Sequence, residues 1–344
     1  MHSGPSMPFR DLVGHRRLIH LMARAARSGA LPPSLIFDGP GGVGKRCTAV
    51  ALAQLFNCAN PHAGGTDGPD QDACGTCASC RRIARGVHPD VVVVEPGESG
   101  SIKVEQARHI IEQCAYRPFE GRRRVIIVDG ADSMEASAQN ALLKTLEEPP
   151  PASTFVLMTV RPDLLLPTVR SRCQSLRFGR LAPGDVATAL KRDHDFSEAD
   201  AHAAAALADG SIGQALAGRT GTYAAARGKA VAMLRMVASS SDPRGRLAAA
   251  RMLGGERGDK VDREELARRL RLLLSMLRDL GLLGAQADGR GLVNMDEADS
   301  LKRLLASFDR DRTVRAFSAV DRALAALDRN ASPRIVADWL AFQV

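Results

Sequence analysis

Aromatic residues are scarce in this 344-residue chain: 4% of the total, with one Trp, two Tyr and ten Phe. That scarcity argues against a surface that stacks nucleic-acid bases on successive rings. No apolar run approaches the about 20 residues that a helix needs to cross a bilayer. The stretch from Met1 to Gly14 has neither a basic leader nor an apolar core, so no secretory signal and a cytoplasmic protein are expected. Internal repeats and low-complexity tails are missing too. The net charge is +8, but the cations are mostly Arg scattered among acids, with no long run. Such a balance permits nucleic-acid or acidic partners without selecting them. The length suggests two or three domains with ample core.

One absence is local and more telling. Gly39-Pro40-Gly41-Gly42-Val43-Gly44-Lys45-Arg46 is a phosphate-loop pattern whose last position lacks a hydroxyl. In G-x-x-x-x-G-K-[ST], backbone N–H groups close around phosphate oxygens, the Lys reaches the β/γ-phosphates, and the Ser/Thr hydroxyl ligates Mg²⁺. Gly39, Gly42, Gly44 and Lys45 are kept. Arg46 stands at the hydroxyl position, and a guanidinium donates hydrogen bonds but cannot coordinate a cation. The apolar run Leu35-Ile36-Phe37-Asp38 predicts a buried strand before the loop, and Lys45 to Phe56 a helix after it. The reading is a degenerate site that could hold ATP or ADP without hydrolysing it.

Seven cysteines are unevenly placed. Cys74, Cys77 and Cys80 form C-x2-C-x2-C, with Cys58 upstream. In a cytoplasmic chain these four suggest a metal site rather than a disulfide frame. Four thiolates would bind structural Zn²⁺ in a closed tetrahedron with no open position. His62 and His88 are competing ligand candidates. Cys47, Cys114 and Cys173 lack sequence partners and are expected in the core.

Apolar strands are expected at 35–38, 91–94, 125–128, 154–158 and 175–178, alternating with helices. Nearly uniform strands such as Val91-Val92-Val93-Val94 suit a parallel sheet covered on both faces. A helix is expected from about Lys103 to Ala115 with Ser101 as its cap, and another from about Met134 to Glu147, stopped by Pro149. The polar stretch from Ala59 to Ala73 reads as part of an insertion carrying the cysteines. After Phe178 the strands end. Three short helices are expected over 183–218, with a break at Gly210-Ser211. Helices of roughly 12 to 24 residues follow, separated by Asp242-Pro243, Gly254-Gly255, Asp288-Gly289 and Ser332-Pro333.

Val125-Ile126-Ile127-Val128-Asp129-Gly130 has the form of a Walker B strand, whose Asp supports Mg²⁺ and whose neighbouring Glu polarises the attacking water. Gly130 occupies the place of that Glu. Asp129 could equally be a cap or loop residue. Glu95 and Asp132 are the nearest acids in sequence, and neither is in the right frame to replace the base.

Asn140-Ala141-Leu142-Leu143-Lys144-Thr145-Leu146-Glu147-Glu148-Pro149-Pro150 and Leu164-Leu165-Leu166-Pro167-Thr168-Val169-Arg170-Ser171-Arg172-Cys173, with Val13-Gly14-His15, resemble the bacterial clamp-loader AAA+ subunits of DNA polymerase III. That family contains the tau/gamma ATPase and its delta-prime relative. The resemblance covers residues 9–216 strongly and the rest only in length and helical character. It implies an α/β AAA+ P-loop domain with a parallel sheet (1–179, zinc module at about 58–80), a small helical lid (180–221) and a C-terminal all-α collar bundle (222–344). It also implies that Arg172 is an arginine finger acting in trans on a neighbour's γ-phosphate. The family's ATPase keeps a P-loop Thr, an acidic Walker B pair and a lid Arg after Gly-Ser. Here those places hold Arg46, Gly130 and Gly213, so the chain looks like the delta-prime branch. Its implied partners are the tau/gamma ATPase and delta subunits and, through the complex, the sliding clamp and primed DNA. An active tau/gamma-type ATPase is the alternative reading. A zinc-dependent DNA-binding module is a third, and it leaves the Ser-Arg-Cys string unexplained.

Overall fold

The structure, a computed structural model, describes residues 8–63, 71–97, 99–217, 222–239, 242–254, 263–285, 292, 294, 297–329 and 331–344. The segment breaks anticipated at Gly254-Gly255 and Asp288-Gly289 lie wholly or partly outside these residues. The chain groups into two compact units, Met1–Glu198 with Asp209–Gln214 and Ala199–Ala208 with Ala215–Val344.

The first unit is a five-stranded parallel sheet: β1 (Ser34–Asp38), β2 (Val91–Val94), β3 (Arg124–Asp129), β4 (Ser153–Thr159) and β5 (Gln174–Arg177). Its spatial order is β2-β3-β4-β1-β5, with every neighbouring pair parallel. This is the parallel α/β architecture expected from the sequence, with the phosphate-loop pattern following β1. Alternation along each strand sends side chains to opposite faces. Leu35, Phe37, Val125, Ile127, Val156 and Met158 enter one buried cluster, whereas Ile36, Ile126, Val128, Phe155 and Leu157 enter another. The first cluster is covered by α1 (Arg16–Arg27), α2 (Lys45–Asn57) and α3 (Ala78–Ala84). The second is covered by α4 (Val104–Cys114), α5 (Ala136–Glu147) and α6 (Pro167–Arg170). Two-sided burial explains why these strands read as continuous apolar runs.

The expected elements are present, with local differences. The α4 helix is entered through Lys103, whose N–H donates to Gln106 Oε1 (3.1 Å). Ser101 is not the cap, because its hydroxyl is drawn to Glu135 Oε1 (3.0 Å). Met134 lies outside α5 in a bridge to Ile102. Cys114 is buried as expected, while Cys47 and Cys173 are only half-buried.

Helices α7 (Pro183–His194), α8 (Glu198–Leu207) and α9 (Ile212–Ala217) follow the last strand. The second unit then continues with α10 (Thr222–Ser239), α11 (Pro243–Gly254), α12 (Arg263–Gly284), α13 (Ala298–Lys302), α14 (Arg310–Asp328) and α15 (Pro333–Gln343). Five-residue α13 and eleven-residue α15 are shorter than the sequence spacing suggests. Leu266, Leu270, Leu273, Leu277 and Leu280 on α12 recur at helical spacing and are all buried in the unit's core.

The edge of the sheet where β2 and β3 begin rests on one carboxylate. Asp90 is fully buried and accepts from the N–H groups of Phe119 (2.7 Å), Glu120 (2.9 Å) and Gly121 (2.7 Å) and from Arg124 (3.1 Å). Burial pushes its pKa up, but these donors outweigh it and hold the group below the ordinary carboxylate value. A depressed folded pKa gives stability that is present above the unfolded value of about 4 and is lost as pH falls through the folded one. Asp90→Ala strands a buried Arg124 and three N–H donors, so urea denaturation should show a loss of about 3–5 kcal/mol at neutral pH. That difference from wild type should shrink in acid; an equal difference at pH 7 and pH 3 would contradict the assignment.

Candidate nucleotide site, cysteine cluster and exposed arginine

The phosphate-loop pattern lies between β1 and α2, where Phe178 N donates to Asp38 O (2.7 Å) and Gly39 N to Thr159 O (3.3 Å). Gly42 has φ +72°, and a Cβ there would stand 2.9 Å from Gly213 Cα and against Ser211 Oγ. The returning segment 209–214 lies directly on the loop. Ser211 Oγ donates to Gly41 O (2.8 Å) and Gly213 N to Gly42 O (3.1 Å). Below it, His15 Nε2 is 3.0 Å from Val43 O, and its ring meets Phe178 edge-on at 4.9 Å. Burial lowers the His15 pKa, which favours a neutral ring donating from Nε2.

Lys45 is buried and turned back on the loop. Its Nζ donates to Gly39 O (2.5 Å) and Pro40 O (2.7 Å). Burial lowers its pKa, against the charges of Asp129, Asp132 and Asp38.

Arg46, in the first turn of α2, reaches across the ends of two strands. Its NH1 is bonded to Glu95 Oε1 and to Asp129 Oδ2 (3.0 Å). The parallel register sets this up: Val94 pairs with Val128, so the next residues, Glu95 and Asp129, fall side by side. Desolvation opposes the Arg46 charge, but the two carboxylates outweigh it and raise its pKa. Gly130 follows with φ +79°, and no carboxylate occupies its position. Apolar Val160 is half-exposed at the rim, 4.0 Å from where a Gly41 Cβ would stand.

Cys58, Cys74, Cys77 and Cys80 come together with all four sulfurs within 4.8 Å of one another. Cys58 follows α2, and Cys77 caps α3 by accepting from Cys80 N (3.4 Å). Cys74 N donates to Cys58 Sγ (3.1 Å) and Cys77 N to Cys74 Sγ (3.2 Å). Burial opposes thiolate formation, yet such donors bring Cys74 down to about 6 and lower Cys77, while Cys58 and Cys80 are raised. A tetrahedral ion with bonds of about 2.3 Å sets sulfurs about 3.8 Å apart. The 4.0 Å between Cys74 and Cys80 suits that geometry. The set could hold a thiolate-bound ion with no place for a substrate. His88 does not join it, because Nδ1 accepts from Asp90 N (3.1 Å) and Nε2 meets Ser79 Oγ (3.0 Å). His62 pairs across a two-residue ribbon with Asp72, whose carboxylate accepts from Phe9 N (3.0 Å) and Arg10 N (2.9 Å).

Arg172 follows α6 and precedes β5 on the surface. Its Nε and NH2 both donate to Glu147 Oε2, at 3.1 and 2.9 Å, and NH1 to Thr168 O (3.2 Å). Its side chain is 32% exposed and that of Glu147 58%. The sequence reading singled out Glu95 only to set it aside. It did not find Ser211 or Val160 as parts of the loop's surroundings. The run of four valines before Glu95 was the available signal, since it fixes β2 beside β3; contact between Ser211 and Gly41 spans 170 positions and had none.

A family model described as DNA polymerase III, delta subunit, matches residues 14–182. DNA polymerase III subunit gamma/tau of Mycobacterium tuberculosis H37Rv is 34% identical over 184 residues, 54% of this chain and 31% of the relative. DNA polymerase III subunit delta' of Pseudomonas aeruginosa is 40% identical over 136 residues, 39% of each chain. The delta' subunit of Bacillus subtilis is 36% identical over 167 residues, 48% of each. The matched segments thus span between 31% and 48% of these relatives' lengths. Among solved structures, a gamma subunit-related protein of DNA polymerase III from Thermotoga maritima aligns over 94% of this chain and 97% of its own, with 19% identity and a TM-score of 0.43.

The close packing of Gly213 on Gly42 has a measurable consequence. Gly42→Ala should destabilise the protein by about 1–3 kcal/mol in chemical denaturation, through left-handed strain and overpacking. Gly41→Ala, whose new Cβ would meet only Val160 at 4.0 Å, should cost far less. Equal costs for the two substitutions would show that segment 209–214 does not rest on the loop in solution.

Proposed function

We propose that the chain is a member of the clamp-loader family of DNA polymerase III subunits, and within it a non-hydrolysing subunit of the delta-prime type rather than the tau/gamma ATPase. The observation that carries this reading is Arg46 bound to Asp129 and Glu95. Hydrolysing P-loop proteins hold Mg²⁺ with a P-loop hydroxyl and the Walker B Asp. Here a permanent cation lies on the Walker B carboxylate, and Gly130 provides no general base. Losing such a base commonly costs roughly 10²–10⁴-fold in rate. Nucleotide binding at Gly39, Gly42, Gly44 and Lys45 would require Lys45 to leave the Gly39 and Pro40 carbonyls, which favours weak occupancy by ATP or ADP.

In this reading the protein is cytoplasmic and works within an assembled loader beside tau/gamma and delta subunits. That assembly would place the sliding clamp on primed DNA. Arg172 would serve a neighbour's site in trans as an arginine finger, leaving Glu147 for the γ-phosphate; a planar guanidinium suits that anion better than an ammonium does. The three-part organisation, 1–179, lid 180–221 and collar 222–344, is part of the proposal. So is structural Zn²⁺ at Cys58, Cys74, Cys77 and Cys80.

Three measurements test this function. The isolated chain should turn over ATP negligibly; turnover near that of a complete loader, abolished by Lys45→Ala, would make it the ATPase instead. In a reconstituted loader, Arg172→Ala should still assemble but should reduce DNA-stimulated hydrolysis and clamp loading. Because fingers are worth up to roughly 10³–10⁵ at one site, the whole assembly should lose a part of its turnover. Rates equal to wild type would remove Arg172 from the mechanism. Elemental analysis should find one zinc per chain, and Cys77→Ser should loosen the cysteine module while the helical bundle stays folded. No zinc, with four freely titrating thiols, would reject the metal.

A further inference from the structure

Glu95 and Asp129 are carried by different strands to adjacent positions, and Arg46 NH1 is bonded to both. A like-charged pair at the end of a sheet, facing a helix start, is the environment in which a divalent ion is normally held by oxygen ligands. We propose that the Arg46 guanidinium is a tethered substitute for a divalent cation. It bridges the two carboxylates as the ion would, and so makes the order of the phosphate loop independent of metal and nucleotide. This deepens the non-hydrolysing reading and rests on it.

Three features on the same few residues support the substitution. The cation enters from the first turn of α2, at the position from which a hydroxyl would contact the ion. One NH1 atom serves both carboxylates, a compact bridging arrangement of the kind a single ion makes. The loop is also held from within, by Lys45 on Gly39 and Pro40 and by Ser211 and Gly213 on Gly41 and Gly42. A loop with these internal partners has less need of phosphate to order it. The Arg46 side chain is 45% exposed, so its contribution to global stability is modest. Its larger effect is to exclude a competing cation by charge.

The test uses Mn²⁺ as the probe, read by electron paramagnetic resonance, on the full chain. Wild type should bind no Mn²⁺ and should melt at the same temperature with and without added Mn²⁺, no chelator being used so that the cysteine cluster is undisturbed. Arg46→Thr restores a hydroxyl and uncovers the carboxylates; without added Mn²⁺ it should melt about 2–4 °C below wild type. It should recover in Mn²⁺ with one ion bound per chain, and adding Asp129→Asn should abolish that binding. Two results would overturn the proposal: uptake of Mn²⁺ by wild type at the same stoichiometry, or a folded Arg46→Thr that takes up none. Hydrogen exchange of the wild type tests it without any variant. Residues 39–46 should exchange equally with and without Mg²⁺, and slowing there on adding the ion would refute it. ATP turnover is read separately, so an active enzyme that binds no Mn²⁺ and one that does are distinguishable outcomes.

Discussion

A parallel sheet brings the carboxyl ends of all its strands to one edge, and in this protein that edge is acidic. Asp38 ends β1, Glu95 follows β2 and Asp129 ends β3, with Asp132 just beyond. Topology alone makes them neighbours, because β1, β3 and β4 are packed between other strands in fixed register. Like charges so gathered need cations, and the chain supplies them internally. Arg46 takes Glu95 and Asp129, Arg161 lies 3.7 Å from Asp132, and Lys45 feels Asp38, Asp129 and Asp132 together. Asp38 is further held by Ser175 from β5 (3.0 Å). The arrangement of the phosphate loop follows from this balance, since both Lys45 and Arg46 belong to the first turn of the helix that leaves it.

Much of the first unit was legible because its inner strands β1, β3 and β4 are buried on both faces, and β2 beside them is apolar throughout and half-buried. Val91 to Val94 and Val125 to Val128 are apolar without interruption, and the structure finds strands at both. The glycine pattern with its odd Arg46 marked the loop, and the cysteine spacing marked the cluster. What escaped the reading depends on pairings distant in sequence. Ser101 looks like a helix cap locally, yet Glu135 draws its hydroxyl away. Glu95 looked out of frame because frame was judged along the chain. In the sheet the relevant frame is the β2–β3 register, which puts it next to Asp129. The helices of the second unit were harder to delimit, since Ala, Leu and Arg recur throughout and few strong breakers separate them.

The cysteine module reaches beyond its four thiols. Asp72, two residues before Cys74, binds Phe9 N and Arg10 N, and Arg10 reaches Ala73 O (2.7 Å) and Cys74 O (3.0 Å). Arg122 holds the Cys58 carbonyl, and Gln54 on α2 holds that of Cys80 (3.1 Å). Phe9 is thereby fixed into the same buried cluster as Leu35 and Phe37. An ion in the cluster would therefore tie the start of the chain, the end of α2 and the 115–124 loop to one point, at a distance from any chemistry.

The pairing of Arg172 with Glu147 bears on how a residue can be both structural and available. Two donors on one carboxylate oxygen orient the guanidinium toward Glu147. Exposed pairs of this kind contribute only about 0–1 kcal/mol, because water competes for both partners and the side chains lose freedom. A phosphate approached in a water-excluded interface offers a stronger, charge-assisted fork. The local pair is thus strong enough to keep Arg172 out of random orientations and weak enough to yield to such a ligand. Glu147 belongs to the Leu-Leu-Lys-Thr-Leu-Glu-Glu string and Arg172 to Ser-Arg-Cys, so the contact links the two motifs that most resemble the clamp-loader family. In the proposed function, Glu147 of the first string would hold the arginine that the second would present to a neighbour.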